Sequence, residues 1–252
     1  MALPPEASAA LQARRDLSLG SEGPVPDILQ RLEEDAGVNV VVAQLGEGPD
    51  GAYTVQRDVA FILVNSSSPV VRQRFTLAHE FAHHRLHHGD VLDEHVRWDA
   101  TDPKEVAANR FAAEFLLPIG ALNLWFESQR PPNVELATVV RLANAFGISC
   151  ETALWRVRAA ERINKRDADR MKKRLDAHEH WGMRSQLGLV EIVDTLSSAQ
   201  DLPVRVPARM TDDVFKALDF GIIDRGVAAE RLRISPEKLS QIVARRARDD
   251  GE

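Results

Sequence analysis

"TLAHEFAHHRLHHGD" (Thr76–Asp90) holds five of the chain's eight histidines. Within it, His79-Glu80-Phe81-Ala82-His83 follows the H-E-x-x-H pattern. On a helix, positions four apart sit one above the other, about 6 Å along the axis. His79 and His83 can then aim both imidazoles at one ion, with zinc–nitrogen bonds of about 2.0–2.1 Å. Glu80, one residue further round, stands beside that ion, where a general base is needed. His87 extends the stripe, but it lies roughly 12 Å up the axis from His79 and cannot share the ion on a straight helix. A third ligand must come from elsewhere. Phe75, Ala78, Ala82 and Leu86 recur at helical spacing and give this helix an apolar face to bury.

Working outward, Ser68-Pro69 reads as the start of this helix and Gly89 as its stop. Upstream, "VNVVVAQL" (38–45) and "DVAFILVN" (58–65) read as strands, and "GEGPDGAY" (46–53) between them reads as a turn. A small antiparallel sheet is expected, with "AFILVN" as an edge that an extended segment could join. Downstream, Asp102-Pro103 starts a second helix, which Pro118 ends. Along "EVAANRFAAEFLLP" (Glu105–Pro118), Glu105 shares a face with Asn109, Ala112 and Leu116. Ala107, Ala108, Ala112 and Ala113 allow close approach to the histidine helix. Glu114 is about half a turn out of phase with Glu105, so both cannot serve one site. Glu105 as third ligand leaves a fourth position for water, the catalytic arrangement; Asp93, Glu94, Asp99 and Asp102 are next in line. Asn109 is placed to accept a hydrogen bond from the far nitrogen of His79 or His83.

"RQRFTLAHEFAHHRLHH" (72–88) followed by "EVAANRFAAEFLLP" resembles the ImmA/IrrE family of bacterial metallopeptidases. Phe75, His79, Glu80, His83, His87, Glu105, Asn109, Phe111 and Pro118 match the family pattern; Ala82 and Phe115 depart from its commonest residues without touching a ligand. The resemblance is strong over residues 38–118, weaker to about 160 and faint beyond. It implies an α+β zincin-like fold, one zinc ion per chain on His79, His83 and Glu105, and regulatory cleavage of a helix-turn-helix transcriptional repressor.

The rest of the chain sets bounds. Net charge is −6 and gives no global basic field for nucleic acid. The single cysteine, Cys150, excludes an internal disulfide, fits a reducing compartment and reads as a small buried side chain. No signal-peptide core and no membrane span is legible, so a soluble, cytoplasmic protein without a membrane partner is expected. The expected organisation is a flexible segment at 1–24, a zinc peptidase domain at 25–130, a helix-turn-helix-like region at 131–180 and a C-terminal helical region at 181–252. In the third, "ELATVVRLANAFGISCETALWRVR" (135–158) turns at Gly147-Ile148-Ser149, with Ser149 as cap. DNA binding by it is the sharper reading; packing on the peptidase is favoured. A similar stretch, 226–247, ends the chain. His84, His87, His88 and His95 are unranked candidates to stabilise an oxyanion, and no substrate-binding residue is identified. The rival reading is a non-catalytic DNA- or protein-binding regulator, or a toxin–antitoxin component, with a structural zinc; the intact Glu80 argues against it.

Overall fold

The computed structural model describes residues 3–93, 100–189 and 205–249. β1 (Asn39–Ala43), β2 (Gly51–Gln56), β3 (Val59–Asn65) and β4 (Val91–Asp93) form one sheet in the order β1-β3-β2-β4. The α+β class holds and two of the three pairings are antiparallel, but β1 runs parallel to β3. The reason lies in "GEGPDGAY": only its first part turns, and Gly51, Ala52 and Tyr53 already belong to β2. The hairpin is therefore β2–β3. Arg57 and Asp58 close it with φ of 52° and 64°, the left-handed pair of a type I′ turn. β3 thus has a neighbour on each side. The "AFILVN" stretch is the middle of the sheet, and an extended segment cannot add to it.

The buried residues Ala60, Ile62 and Val64 of β3 alternate along the strand, and α3 (Val70–Arg85) packs against β2 and β3. Pro69 occupies the cap position of α3, while Ser68 Oγ donates to Asp50 Oδ1 at 3.0 Å instead of capping the helix. α3 also stops before Gly89. His87 takes φ 56°; the His88 N–H reaches the His83 carbonyl at 3.1 Å and the His87 N–H that of His84 at 3.4 Å. This is a Schellman closure with histidine in the place glycine usually takes. It brings His88 back over the last turn.

α4 (Pro103–Leu116) begins where expected, with Asp102 Oδ1 accepting from the N–H groups of Lys104 (2.7 Å) and Glu105 (3.4 Å). Ala78 and Ala82 of α3, and Ala108 and Ala112 of α4, are fully buried in the same core. Phe81 meets Phe111 and Phe115 edge-on, at centroid distances of 6.0 and 5.8 Å.

The segment expected to be loose contains a helix, α1 (Pro5–Asp16), packed on α4. Its alanines favour this, alanine being the strongest helix former, and Ala10 and Ala13 are fully buried. Arg14 fastens this helix: its guanidinium donates to the carbonyls of Phe115 (2.6 Å), Gly20 (2.8 Å) and Gly23 (2.8 Å). Burial lowers its pKa to about 10.

α2 (Ile28–Glu34) precedes β1, and α5 (Ile119–Gln129), α6 (Leu136–Phe146), α7 (Cys150–Ala159), α8 (Lys165–Asp176) and α9 (Glu179–Gln186) follow α4. One core runs from Ala10 to Leu175, so the boundary expected near residue 130 does not divide it. The α6–α7 turn forms as read: Gly147 is left-handed and Ser149 Oγ accepts from the Thr152 N–H. Of α7, only Ala159 is exposed. Arg156 of α7 forms a buried ion pair with Glu114 of α4 at 2.5 Å, and Cys150 is buried.

α10 (Ala208–Asp219), α11 (Arg225–Leu232) and α12 (Pro236–Asp249) close around a second, smaller core. Of the strand-like "LPVRV", residues 202–204 lie outside the described residues; Arg205 bridges to Val42 of β1 and pairs with Glu33. Among the described residues no helix is long and apolar enough to cross a membrane.

Candidate metal centre

His79, His83 and Glu105 converge. His79 Nε2 lies 3.1 Å from His83 Nε2 and 3.1 Å from Glu105 Oε2, and His83 Nε2 lies 3.5 Å from Glu105 Oε1. Both imidazoles are fully buried, whereas the Glu105 side chain keeps 23% of its surface exposed. The histidines come from one face of α3, one turn apart. The carboxylate comes from the first turn of α4, set there by the Asp102 cap.

The donor chemistry suits a cation. His79 Nδ1 lies 3.1 Å from Asn109 Oδ1. That oxygen can only accept, so in the neutral imidazole the proton sits on Nδ1 and Nε2 keeps its lone pair. His83 Nδ1 lies 3.0 Å from His88 Nδ1, which can accept its proton in the same way. Two lone pairs and a carboxylate then face one another in a buried space, an arrangement that is repulsive without a positive centre. Zinc bonds of 2.0–2.1 Å set tetrahedral ligand–ligand edges of about 3.3 Å, and the three observed separations bracket that value. The residues fit a divalent ion with nitrogen and oxygen ligands.

Glu80 is fully buried, one residue round the helix from His79. Gly51 of β2 lies against it: a β-carbon there would stand 2.6 Å from Glu80 Oε1, 2.5 Å from Thr76 Cγ2 and 3.1 Å from the Leu63 carbonyl oxygen. Only a glycine lets the strand and this carboxylate come so close. The sequence reading passed over Gly51 as part of a turn; the cue for it is an isolated glycine opening a β-branched run.

Two residues along β2, the Tyr53 hydroxyl meets His84 Nδ1 at 3.0 Å. Burial pushes the Tyr53 pKa up and the His84 pKa down. His88 is lowered by burial and then by nearby Lys104, whose Nζ donates to the His88 carbonyl at 2.8 Å. These contacts sort the unranked histidines. His84 is engaged by Tyr53, His88 supports His83, His87 is exposed, and His95 lies outside the described residues. His88 was missed as a support for His83 because its position depends on the early end of α3. Of the alternative third ligands, Asp102 is committed to capping. Glu94 and Asp99 lie outside the described residues, and the side chain of Asp93 is not among those described. Glu114 faces Arg156 and the Ile119 N–H, away from this site.

Residues 33–158 match the family model described as the IrrE N-terminal-like domain. Over 160 residues the chain is 34% identical to the radiation response metalloprotease IrrE of Deinococcus deserti, covering 60% of this chain and 55% of that protein. Over 159 residues it is 33% identical to the protein of the same name from Deinococcus radiodurans, covering 60% and 47%. The chain spans about half the length of the curated relatives it matches. A two-histidine helix, a carboxylate on the next helix and this match over half of its residues converge on one conclusion: the chain belongs to the ImmA/IrrE family.

Proposed function

We propose that this protein is a zinc-dependent endopeptidase that acts in the cytoplasm, holds one zinc per chain and cleaves a helix-turn-helix transcriptional repressor as a regulatory step. The observation that carries the reading is the convergence of His79, His83 and Glu105 on one point beside the buried Glu80. When bound, a zinc ion supplies Lewis-acid polarisation of a peptide carbonyl and makes a water molecule easier to deprotonate. Glu80 takes that proton on its carboxylate and returns it to the departing amine. Gly51, lacking a side chain, leaves room for that carboxylate beside β2, while Asn109 and His88 hold the histidines by their outer nitrogens. The repressor as substrate rests on the family resemblance. Extended substrate backbone would run along β4, an end strand of the sheet that pairs only with β2 among the described residues.

The α6–α7 unit serves this reading as packing. DNA recognition by such a unit places its second helix in a groove with side chains free to reach bases, and of α7 only Ala159 is exposed.

The test is direct. The zinc-loaded protein is incubated with a helix-turn-helix repressor encoded beside it and, separately, with casein. A single cut in the repressor is expected, lost by a factor of ~10²–10⁴ in Glu80→Gln while zinc content and melting temperature hold. Casein degraded as fast as the repressor would overturn the substrate reading. A cellular effect intact in Glu80→Gln would make the protein a binder rather than an enzyme.

A further inference from the structure

The α3 face that carries His79 and His83 continues toward the helix start through Thr76, Phe75 and Arg72, at spacings of three and four residues. It does not end on a flat surface. Arg72 and Phe75 line a cleft of about 1380 Å³ whose opposite walls are α7, α8 and α9, and the Phe75 ring stands 6.4 Å from the His79 ring. The cleft therefore opens within one helical turn of the metal centre.

Its chemistry is that of a peptide site. Its volume exceeds the roughly 300–1,000 Å³ of small-molecule pockets. Phe75, Trp155 and Trp181 all line it. Trp181 is 66% exposed, yet it is steadied by His178, whose ring stacks on it at 4.1 Å and 15°. The rim mixes signs: Arg72 pairs with Asp50, and Lys172 with Asp176 and Glu151. Acids there outnumber bases, which disfavours a polyphosphate chain despite the aromatic platform. His180 Nδ1, also in the lining residues, is buried with no hydrogen-bond partner among the described residues. A peptide backbone group can supply one.

We propose that this cleft is a specificity site for the protein substrate, in which Trp155 and Trp181 grip a large apolar or aromatic side chain of an extended segment while the same segment passes the metal centre. The choice of substrate rests on the peptidase reading above; the cleft's capacity for peptide rests on its own lining. Cutting would then depend on a residue away from the bond cleaved, because binding energy gathered along the chain orients the reacting carbonyl.

The experiment separates the two. An array of synthetic peptides of randomised sequence is probed with the metal-loaded Glu80→Gln protein, and again after adding Trp181→Ala or Trp155→Leu. Bound peptides should be enriched in tryptophan, phenylalanine, tyrosine or leucine. Trp181→Ala should weaken binding roughly 10-fold or more with an unchanged melting temperature, since Trp181 is largely exposed. Binding without apolar enrichment, binding indifferent to both tryptophans, or no binding to any peptide would overturn the proposal. If the enriched peptides bind as expected but the wild-type protein cuts none of them, the peptide cleft stands and the peptidase reading falls.

Discussion

Gly51→Ala is a one-carbon change that should disable chemistry while sparing the metal. The added β-carbon would sit 2.6 Å from Glu80 Oε1, and ordinary contact begins near 3.4 Å. The carboxylate must retreat by about 0.8 Å, because the strand cannot yield instead. Gly51 is paired with Val64 on one side and Asp93 on the other, and the Leu63 carbonyl already lies 3.1 Å from the new carbon. Thr76 Cγ2, at 2.5 Å, blocks another escape. A misplacement near 1 Å costs on the order of 10²-fold in rate, within the ~10²–10⁴ that a positioned base contributes. Overpacking should also cost about 1–3 kcal/mol of stability. The assay compares kcat, KM, zinc content and melting temperature in wild type, Gly51→Ala, Glu80→Gln and the double variant. The expected result is a kcat about 100-fold lower with KM and zinc near wild type. Gly51→Ala should add almost nothing to Glu80→Gln, since neighbours acting through one group are not additive. Full kcat in Gly51→Ala, or its whole loss repeated on the Glu80→Gln background, would refute the claim that this glycine acts through Glu80.

Further outcomes can be checked by titration and unfolding. His79→Ala and Glu105→Ala should each lose most of the single bound zinc, read by elemental analysis after dialysis, because three protein ligands leave no redundancy. Full occupancy in Glu105→Ala would move the third ligand elsewhere. Asn109→Ala and His88→Ala should each weaken zinc about 10–100-fold in a competitive chelator titration, through His79 and His83 respectively; unchanged affinity in His88→Ala would reduce the His83–His88 contact to packing. Arg156→Met strands Glu114 in the core and should cost about 3–5 kcal/mol in urea unfolding, whereas a cost below 1 kcal/mol would show that the pair is readily replaced.

What was legible in the sequence shares a physical origin. His79 with His83, Glu105 with Asn109, the Asp102 cap and the Gly147–Ser149 turn are all local relations, set by a helical period or by a side chain bonding to backbone two or three residues away. They survive without knowledge of neighbours. The missed features depend on backbone states or on distant partners. The parallel β1–β3 pair requires knowing that β2 leaves the sheet position beside β1 empty for β3. The α1 helix draws its stability from α4, a hundred residues on, through Arg14 and Phe115.

The end of α3 shows how much one such backbone state decides. If the helix ran on to Gly89, His87 would continue the ligand stripe and His88 would lie about 100° round from it, too far along the axis to return to His83. The left-handed turn at His87 reverses the chain within two residues. It exposes His87, brings the His88 ring to 3.0 Å from His83, and sends the chain toward β4 beside Gly51 and Tyr53. The same turn therefore supports His83 and starts the route to the strand that lies along Gly51. A residue able to adopt this φ at low cost is required at position 87, and glycine is the least strained choice. His87→Gly should accordingly preserve zinc affinity and raise stability slightly, whereas His87→Val, a β-branched residue forced to positive φ, should weaken zinc through His88 although position 87 itself never touches the metal. Equal zinc affinity in the two variants would show that the turn does not control the support of His83.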